Sequence, residues 1–338
     1  MEPHSFFEDI FNHLSSLSPG AWCQAFFLFA GASVLAVAAV QGDARALLAD
    51  YGARKADSNS KPKHPDEQSP TSRSTGNSND SNTIGSKLLS LLDALTTATQ
   101  VPHSWFAYFY VLSMACSAFW LLQYLLDGEM LRFLAAQQQD QQPQDASATF
   151  SQSALGWLMM TAQAGRRVFE HAFVIKPSRG SSMWVVHWVL GLGFYVVMSV
   201  AVWIEGSASL LDHGRHHDVF NTEALIKMAV AVPAFLYAWI NQYRCHAHLA
   251  GLKKYSLPEA GMFRSYVCPH YTCECLLYLA MAVATAPGGS LCNRTLLCAV
   301  FFIVINLGVT AAGTRKWYAS KFGAKAVEGK WNMIPFMF

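Results

Sequence analysis

Tyr266-Val-Cys-Pro-His-Tyr-Thr-Cys-Glu274 runs directly into Cys275-Leu-Leu-Tyr-Leu-Ala-Met-Ala-Val-Ala-Thr-Ala286. The second stretch carries no charge, so residues 271–286 read as a membrane helix with the Glu274 carboxylate inside it. An ionisable side chain at the bilayer centre costs about 2.5–3.5 kcal/mol even on the lenient insertion scale. Such a group therefore faces a protein interior and marks a functional site.

Working outward, apolar runs of bilayer length cover residues 21–40, 105–126, 183–204, 223–240 and 291–312. With a shorter run at 153–164 they make about seven membrane elements and an all-α polytopic bundle. Composition agrees. Hydrophobic residues make up 52% of 338 and charged residues 14%, against about 25% charged in soluble domains, so the apolar surplus needs lipid as its solvent. A net charge of +2 without a basic, aromatic-interleaved patch argues against a nucleic-acid partner. The eight cysteines are scattered and read as small buried hydrophobes. Cys268, Cys273, Cys275 and His270 lie close in sequence but lack paired-ligand spacing, so no metal is expected.

The first apolar run has no basic region before it and is long for a signal, so residues 1–40 are expected to hold an uncleaved N-terminal transmembrane helix. Residues 57–86 are rich in Ser, Asn, Lys and Pro and have almost nothing to bury, which predicts disorder. Leu88, Leu89, Leu92 and Leu95 recur at helical spacing, as an interfacial helix or as one packed on the bundle. Residues 41–100 thus form a largely disordered insertion ahead of a membrane core at 101–338. The Gln-rich stretch 137–144 reads as a solvated loop. Arg166, Arg167, Lys176 and Arg179 share one side with Arg244, Lys253, Lys254, Arg264, Arg315, Lys316, Lys321, Lys325 and Lys330. The positive-inside rule makes that side cytosolic. The opposite side holds Asp212-His-Gly-Arg-His-His-Asp218 and the sequon Asn293-Arg294-Thr295, placing the N-terminus in the lumen and the C-terminus in the cytosol. The sequon at Asn79 falls on the cytosolic side.

No Gly-x-Gly-x-x-Gly follows a strand, so a Rossmann site is absent. The cytosolic ends of the last spans offer Arg244, His246, Lys253, Lys254, Tyr255, Arg264, Arg315 and Lys316. These can hold a pyrophosphate, or can act only as topology signals and headgroup contacts. Arg166, Arg167 and Glu170 are spaced for contact on one helix face, as a clamp or as a reach toward a ligand, the clamp being the safer reading. Trp105, Phe106, Phe109, Tyr110 and Trp120 recur at helical spacing, which more often means packing than a ligand wall. His213-Gly-Arg-His216-His217 has the form of a di-iron box, but it is single and on the lumenal side. A solvated loop explains it better.

Several of these stretches together carry a resemblance. Trp317-Tyr-Ala-Ser-Lys-Phe322 ahead of Pro335-Phe-Met-Phe338, Val101-Pro102 with Phe106 and Phe109-Tyr110, Gly165-Arg-Arg-Val-Phe-Glu170 and Gln242-Tyr-Arg-Cys-His246 resemble the steroid 5-alpha-reductase family. The likeness covers most of the chain from Val101 onward, with the family's C-terminal domain at about 183–338. Steroid reductases carry Asn at the position of His270 and Asp at that of His246, so the match is to the polyprenol-type branch.

The resemblance implies an NADPH cavity formed by the C-terminal helices and their cytosolic loops. Position by position, Gln242, His246, Lys253, Tyr255, Tyr266, His270, Glu274, Asn306 and Arg315 would line it, Glu274 holding the nicotinamide carboxamide and Lys253 a phosphate. It further implies an endoplasmic-reticulum membrane enzyme that reduces a long polyisoprenoid, supporting dolichol synthesis. Hydride addition to a carbon–carbon double bond needs an electron sink, which an enal supplies and an allylic alcohol does not, so polyprenal is favoured over polyprenol. Tyr318 is the expected donor near the carbonyl oxygen, its other reading being an interfacial belt tyrosine. Trp105, Phe106, Phe109, Tyr110 and Trp120 would then line the substrate path. A 3-oxo-steroid or enoyl reductase and an isoprenylcysteine-type methyltransferase are the alternatives.

Overall fold

The computed structural model describes residues 17–39, 98–141, 147–175, 181–212, 222–253 and 256–338. The insertion at 57–86, the Leu88–Leu95 spacing, Asn79, Lys176, Arg179, the His213–His217 box, Lys254 and Tyr255 lie outside them. The described chain is helical: α1 (Pro19–Ala39), α2 (Ala107–Leu125), α3 (Glu129–Gln139), α4 (Phe150–Phe169), α5 (Val185–Ala201), α6 (Ser207–Leu211), α7 (Thr222–Gly251), α8 (Pro269–Ala284) and α9 (Arg294–Phe322). It divides into two compact units.

The smaller unit takes in Val34–Phe106 and Pro177–Leu190. Its described part holds two short antiparallel strands, β1 (Gln100–Pro102) and β2 (Ser182–Trp184), with Val101 opposite Met183. Trp105 and Trp188 rings meet at 5.0 Å, and Phe106 stacks on His103 at 4.6 Å.

The larger unit takes in Met1–Ser33, Ala107–Lys176 and Gly191–Phe338. Within it α7 packs along α8, α8 against α9, and α4 against α2, α7 and α8. The contact faces are rich in small residues. Ala231, Ala238, Ala280, Ala282, Ala284, Ala299 and Ala311 are all buried, which lets helix backbones approach closely where no water drives them together. A Cβ on Gly156 of α4 would fall 2.4 Å from Thr285 Cγ2, so only glycine permits that approach. Large apolar side chains instead face outward, among them Phe29, Ile226 and Val230.

Five helical stretches are long and apolar enough to cross a membrane: Pro19–Ala39, His103–Leu125, Val185–Leu211, Thr222–Gly251 and Arg294–Phe322. The expected elements at 153–164 and 271–286 fold as α4 and α8 but do not meet that standard. The 16 residues of α8 span about 24 Å, short of a bilayer core near 30 Å, and α4 ends on Arg166 and Arg167. Pro269 opens α8 at a position where its missing N–H costs nothing, so Glu274 lies about one and a half turns from the helix start.

Two other expectations are corrected. Residues 137–139, read as the start of a loop, close α3, and buried Gln138 accepts a hydrogen bond from Gly20 N at 2.8 Å, satisfying an orphan donor at the start of α1. The last span, expected at 291–312, continues as helix to Phe322 and carries Tyr318 on it.

At the other end of the bundle the α8–α9 turn is fixed by side chains. Gln152 donates to the carbonyls of Ala284 and Ala286 at 2.9 and 2.8 Å, and Lys227 to those of Ala286 and Pro287 at 3.2 and 2.7 Å. Glu205 accepts from the backbone and hydroxyl of Thr295, both at 2.7 Å. Asn293 caps α9 by accepting from Leu296 N at 2.9 Å and is 1% exposed. A side chain so engaged cannot receive a glycan in the folded chain.

Candidate active site

Glu274 sits in a polar network that α4, α7 and α8 build between them. Thr149 starts α4 with a capping box: its hydroxyl accepts from Gln152 N at 3.2 Å while Gln152 Oε1 accepts from Thr149 N at 3.1 Å. From that start the helix brings Gln163, Arg166 and Arg167 to its last turns. It then widens into a π-turn over Glu170–Val174, closed by Ile175 N donating to Glu170 O at 2.7 Å. Such widened turns recur at functional sites.

Arg166 donates from Nη1 to Glu170 Oε1 at 2.7 Å, and from Nη2 to Gln163 Oε1 at 2.7 Å and to Gln242 Oε1. Gln163 Nε2 donates to Gln242 Oε1 at 3.0 Å and to Glu274 Oε2 at 3.3 Å. Gln242 Nε2 donates to His270 O at 3.2 Å and to Glu274 Oε2. Glu274 Oε1 accepts none among the described residues. Arg167 donates to Glu170 Oε2 and, at 2.8 Å, to the Tyr110 hydroxyl, with its guanidinium 4.7 Å from the Tyr110 ring centre. His246 Nδ1 lies 2.8 Å from Glu170 Oε2 and 2.7 Å from Arg167 Nη1. It can donate to the carboxylate or accept from the guanidinium, not both.

Two guanidiniums thus face two carboxylates. The Glu170 side chain is fully buried, and those of Arg166 and Arg167 are 4% and 12% exposed. Burial pushes the Glu170 carboxyl up, but the His246 hydrogen bond and the Arg167, His246 and Arg166 charges outweigh it and bring it down to about 2. It stays ionised. Two nitrogens nearby have no partner: Arg166 Nε, which can only donate, and His270 Nδ1, which donates or accepts according to its tautomer, are buried and unbonded. A carboxylate oxygen that accepts from no described residue suits a ligand that donates, such as a carboxamide N–H, and the unspent Arg166 N–H suits an acceptor, so these residues fit a nicotinamide dinucleotide.

The structure brings Glu274, Gln242, His246, His270 and Tyr110 together. Tyr318 belongs to a neighbouring cluster, packed with Tyr271, Cys275 and Ala319 against Val267, Cys268, Ala311, Val327 and Met333. Tyr271 and Cys275 lie one residue on from His270 and Glu274, so that cluster takes the adjoining face of α8. Arg315 holds the C-terminal segment by donating to Lys330 O at 2.5 Å, and that segment clips the start of α8 through Val267 N to Trp331 O at 2.8 Å and Cys268 N to Asn332 O at 2.9 Å. Tyr266 bridges to Trp331. Lys253 is exposed, and the Asn306 carbonyl accepts from Thr310 at 2.9 Å.

Phe109 is buried and stacks on Tyr195 at 6.1 Å. Trp120 is buried too, donating to Ser199 at 3.0 Å and meeting Trp203 edge-on. Gln163 is the member that sequence reading did not single out. Its signal was an amide three residues before Arg166 in a helix of small and apolar residues.

Fold and site together define a polytopic helical membrane protein with a buried carboxylate, amide and guanidinium network between its helices. Residues 181–338 match the family model described as 3-oxo-5-alpha-steroid 4-dehydrogenase, so the C-terminal part of the chain is similar to that family. It is 28% identical over 264 residues to a polyprenal reductase of Xenopus tropicalis, covering 70% of this chain and 80% of the relative. Polyprenal reductase 1 of Arabidopsis thaliana is 29% identical over 192 residues, 49% of this chain and 59% of that protein. The Saccharomyces cerevisiae polyprenal reductase is 27% identical over 172 residues, 51% and 60%. The chain therefore spans less than two thirds of the plant and yeast relatives. Among the described residues no group of three or more His, Cys, Asp or Glu is arranged to hold a metal ion.

Proposed function

We propose that this chain is an NADPH-dependent reductase of the endoplasmic-reticulum membrane that saturates the alpha-isoprene double bond of polyprenal, giving the dolichol series. The observation that carries the reading is Glu274, with one oxygen fixed by two glutamine N–H groups and the other without a donor among the described residues. The polyprenal reductases among its relatives support the substrate. Seven membrane elements, α4 and α8 included, put the N-terminus in the lumen and the site at the cytosolic ends of the C-terminal helices.

NADPH, when bound, supplies the hydride that the beta carbon of the enal receives, and the alpha carbon of the resulting enolate takes its proton from water. Glu274 Oε1 would accept the carboxamide N–H and so hold the nicotinamide end of the cofactor. His246, His270, Tyr266, Asn306, Lys253 and Arg315 would line the cofactor cavity or its mouth. Tyr318 donates a hydrogen bond where negative charge develops on the substrate oxygen, a neutral donor suited to a poorly hydrated pocket. Phe109, Tyr110 and Trp120 belong to the polyisoprenoid side of the site, Phe109 and Trp120 as its packed backing.

The test is NADPH oxidation by purified protein offered a short polyprenal, the matching polyprenol or an enone steroid. Turnover of the aldehyde supports the proposal. Turnover of the steroid alone moves the chain to another branch of the family, and no turnover with any of the three contradicts the reductase reading.

A further inference from the structure

We infer that Arg166, acting through Gln163 and Gln242, is a positioning residue that makes Glu274 an acceptor with one fixed and one free oxygen, and that Gln242 serves this end and not direct cofactor contact. A guanidinium has only N–H groups to offer, so the two side-chain oxygens that meet Arg166 Nη2, those of Gln163 and Gln242, must be acceptors. This fixes which way both amides are turned and points both NH2 groups away from Arg166.

Each NH2 has two hydrogens, and all four are spent inside the protein. Gln163 gives one to Gln242 Oε1 and one to Glu274 Oε2; Gln242 gives one to His270 O and one to Glu274 Oε2. Neither glutamine keeps an N–H for a ligand. What they produce is a carboxylate whose Oε2 is saturated and whose Oε1 is open and fixed in direction. Arg166 is itself held from the π-turn by Glu170, so the widened end of α4 sets the geometry of a residue on α8.

An oxygen so placed selects a ligand group that donates. It should favour a carboxamide over an acetyl group of nearly the same size, because the acetyl leaves Oε1 unpaired. This rests on the reading that Glu274 takes the nicotinamide carboxamide. The experiment measures binding of NADPH and of its reduced 3-acetylpyridine analogue to the full chain in detergent, by fluorescence, for wild type, Glu274→Gln, Gln163→Met and Arg166→Met.

Wild type should bind NADPH about tenfold or more tighter than the analogue, one charge-assisted hydrogen bond's worth. Glu274→Gln should erase the preference. Gln163→Met and Arg166→Met should bring the ratio toward one by weakening NADPH while leaving the analogue little changed. Arg166→Met removes one of the two guanidiniums paired with buried Glu170 and can fail to fold, so the neutral Gln163→Met decides. A wild-type ratio near one overturns the carboxamide reading and this inference with it. A high wild-type ratio that persists in Gln163→Met, or a loss shared equally by both ligands, overturns this inference alone.

Discussion

Glu170 is the residue on which the buried charges balance. Replacing it with Gln leaves Arg166 and Arg167 with one carboxylate fewer in a site that water does not reach. A loss of about 3–5 kcal/mol is expected, read as a lower thermal midpoint in detergent. Asp127→Asn breaks an ion pair with both side chains about half exposed and is the control; equal losses would contradict the account. The sign with pH follows from the carboxyl sitting near 2, below its unfolded range. Its contribution is whole above about pH 4.3 and is lost as pH falls toward 2, so Glu170 should give no acid limb between pH 5 and 8. Glu274 was legible as a lone carboxylate beside an apolar run. Gln163 was not, because an amide acquires its meaning only when α7 and α8 supply Gln242 and Glu274 beside it.

At the scale of elements, hydropathy reports lipid and not helix. Helices α7 and α9 outrun their apolar stretches because Arg244 and His246, or Arg315 and Tyr318, leave the average without breaking the backbone ladder. Gln138 looked like loop for the same reason: its polarity is spent on the α1 N-terminus. The sequon shows the converse, a surface signal whose Asn293 is a buried cap. Asn293→Ala should cost about 1 kcal/mol, and the wild-type chain should show no mobility shift on glycosidase treatment. A shift would place that turn outside the fold described. Gly156→Val should cost about 1–3 kcal/mol by forcing α4 off Thr285, measured as thermal stability; a neutral result would mean the contact is looser than the geometry requires.

For the whole molecule, composition made the membrane setting plain, while the number of crossings depends on α4 and α8, which hydropathy and length leave short. Seven crossings require the two termini on opposite sides. Glycosylatable tags should be modified at the N-terminus and not at the C-terminus, and modification at both, or at neither, would remove an element from the count. The proposed substrate was legible only through the resemblance, since no spacing of residues encodes a polyisoprenoid. The central claim is that the Glu274 network holds NADPH for reduction of an enal. Its most direct test is NADPH oxidation with a short polyprenal by wild type and Glu274→Gln side by side. The account expects turnover in the wild type and a loss of at least about tenfold in the variant. Equal rates in both would contradict it.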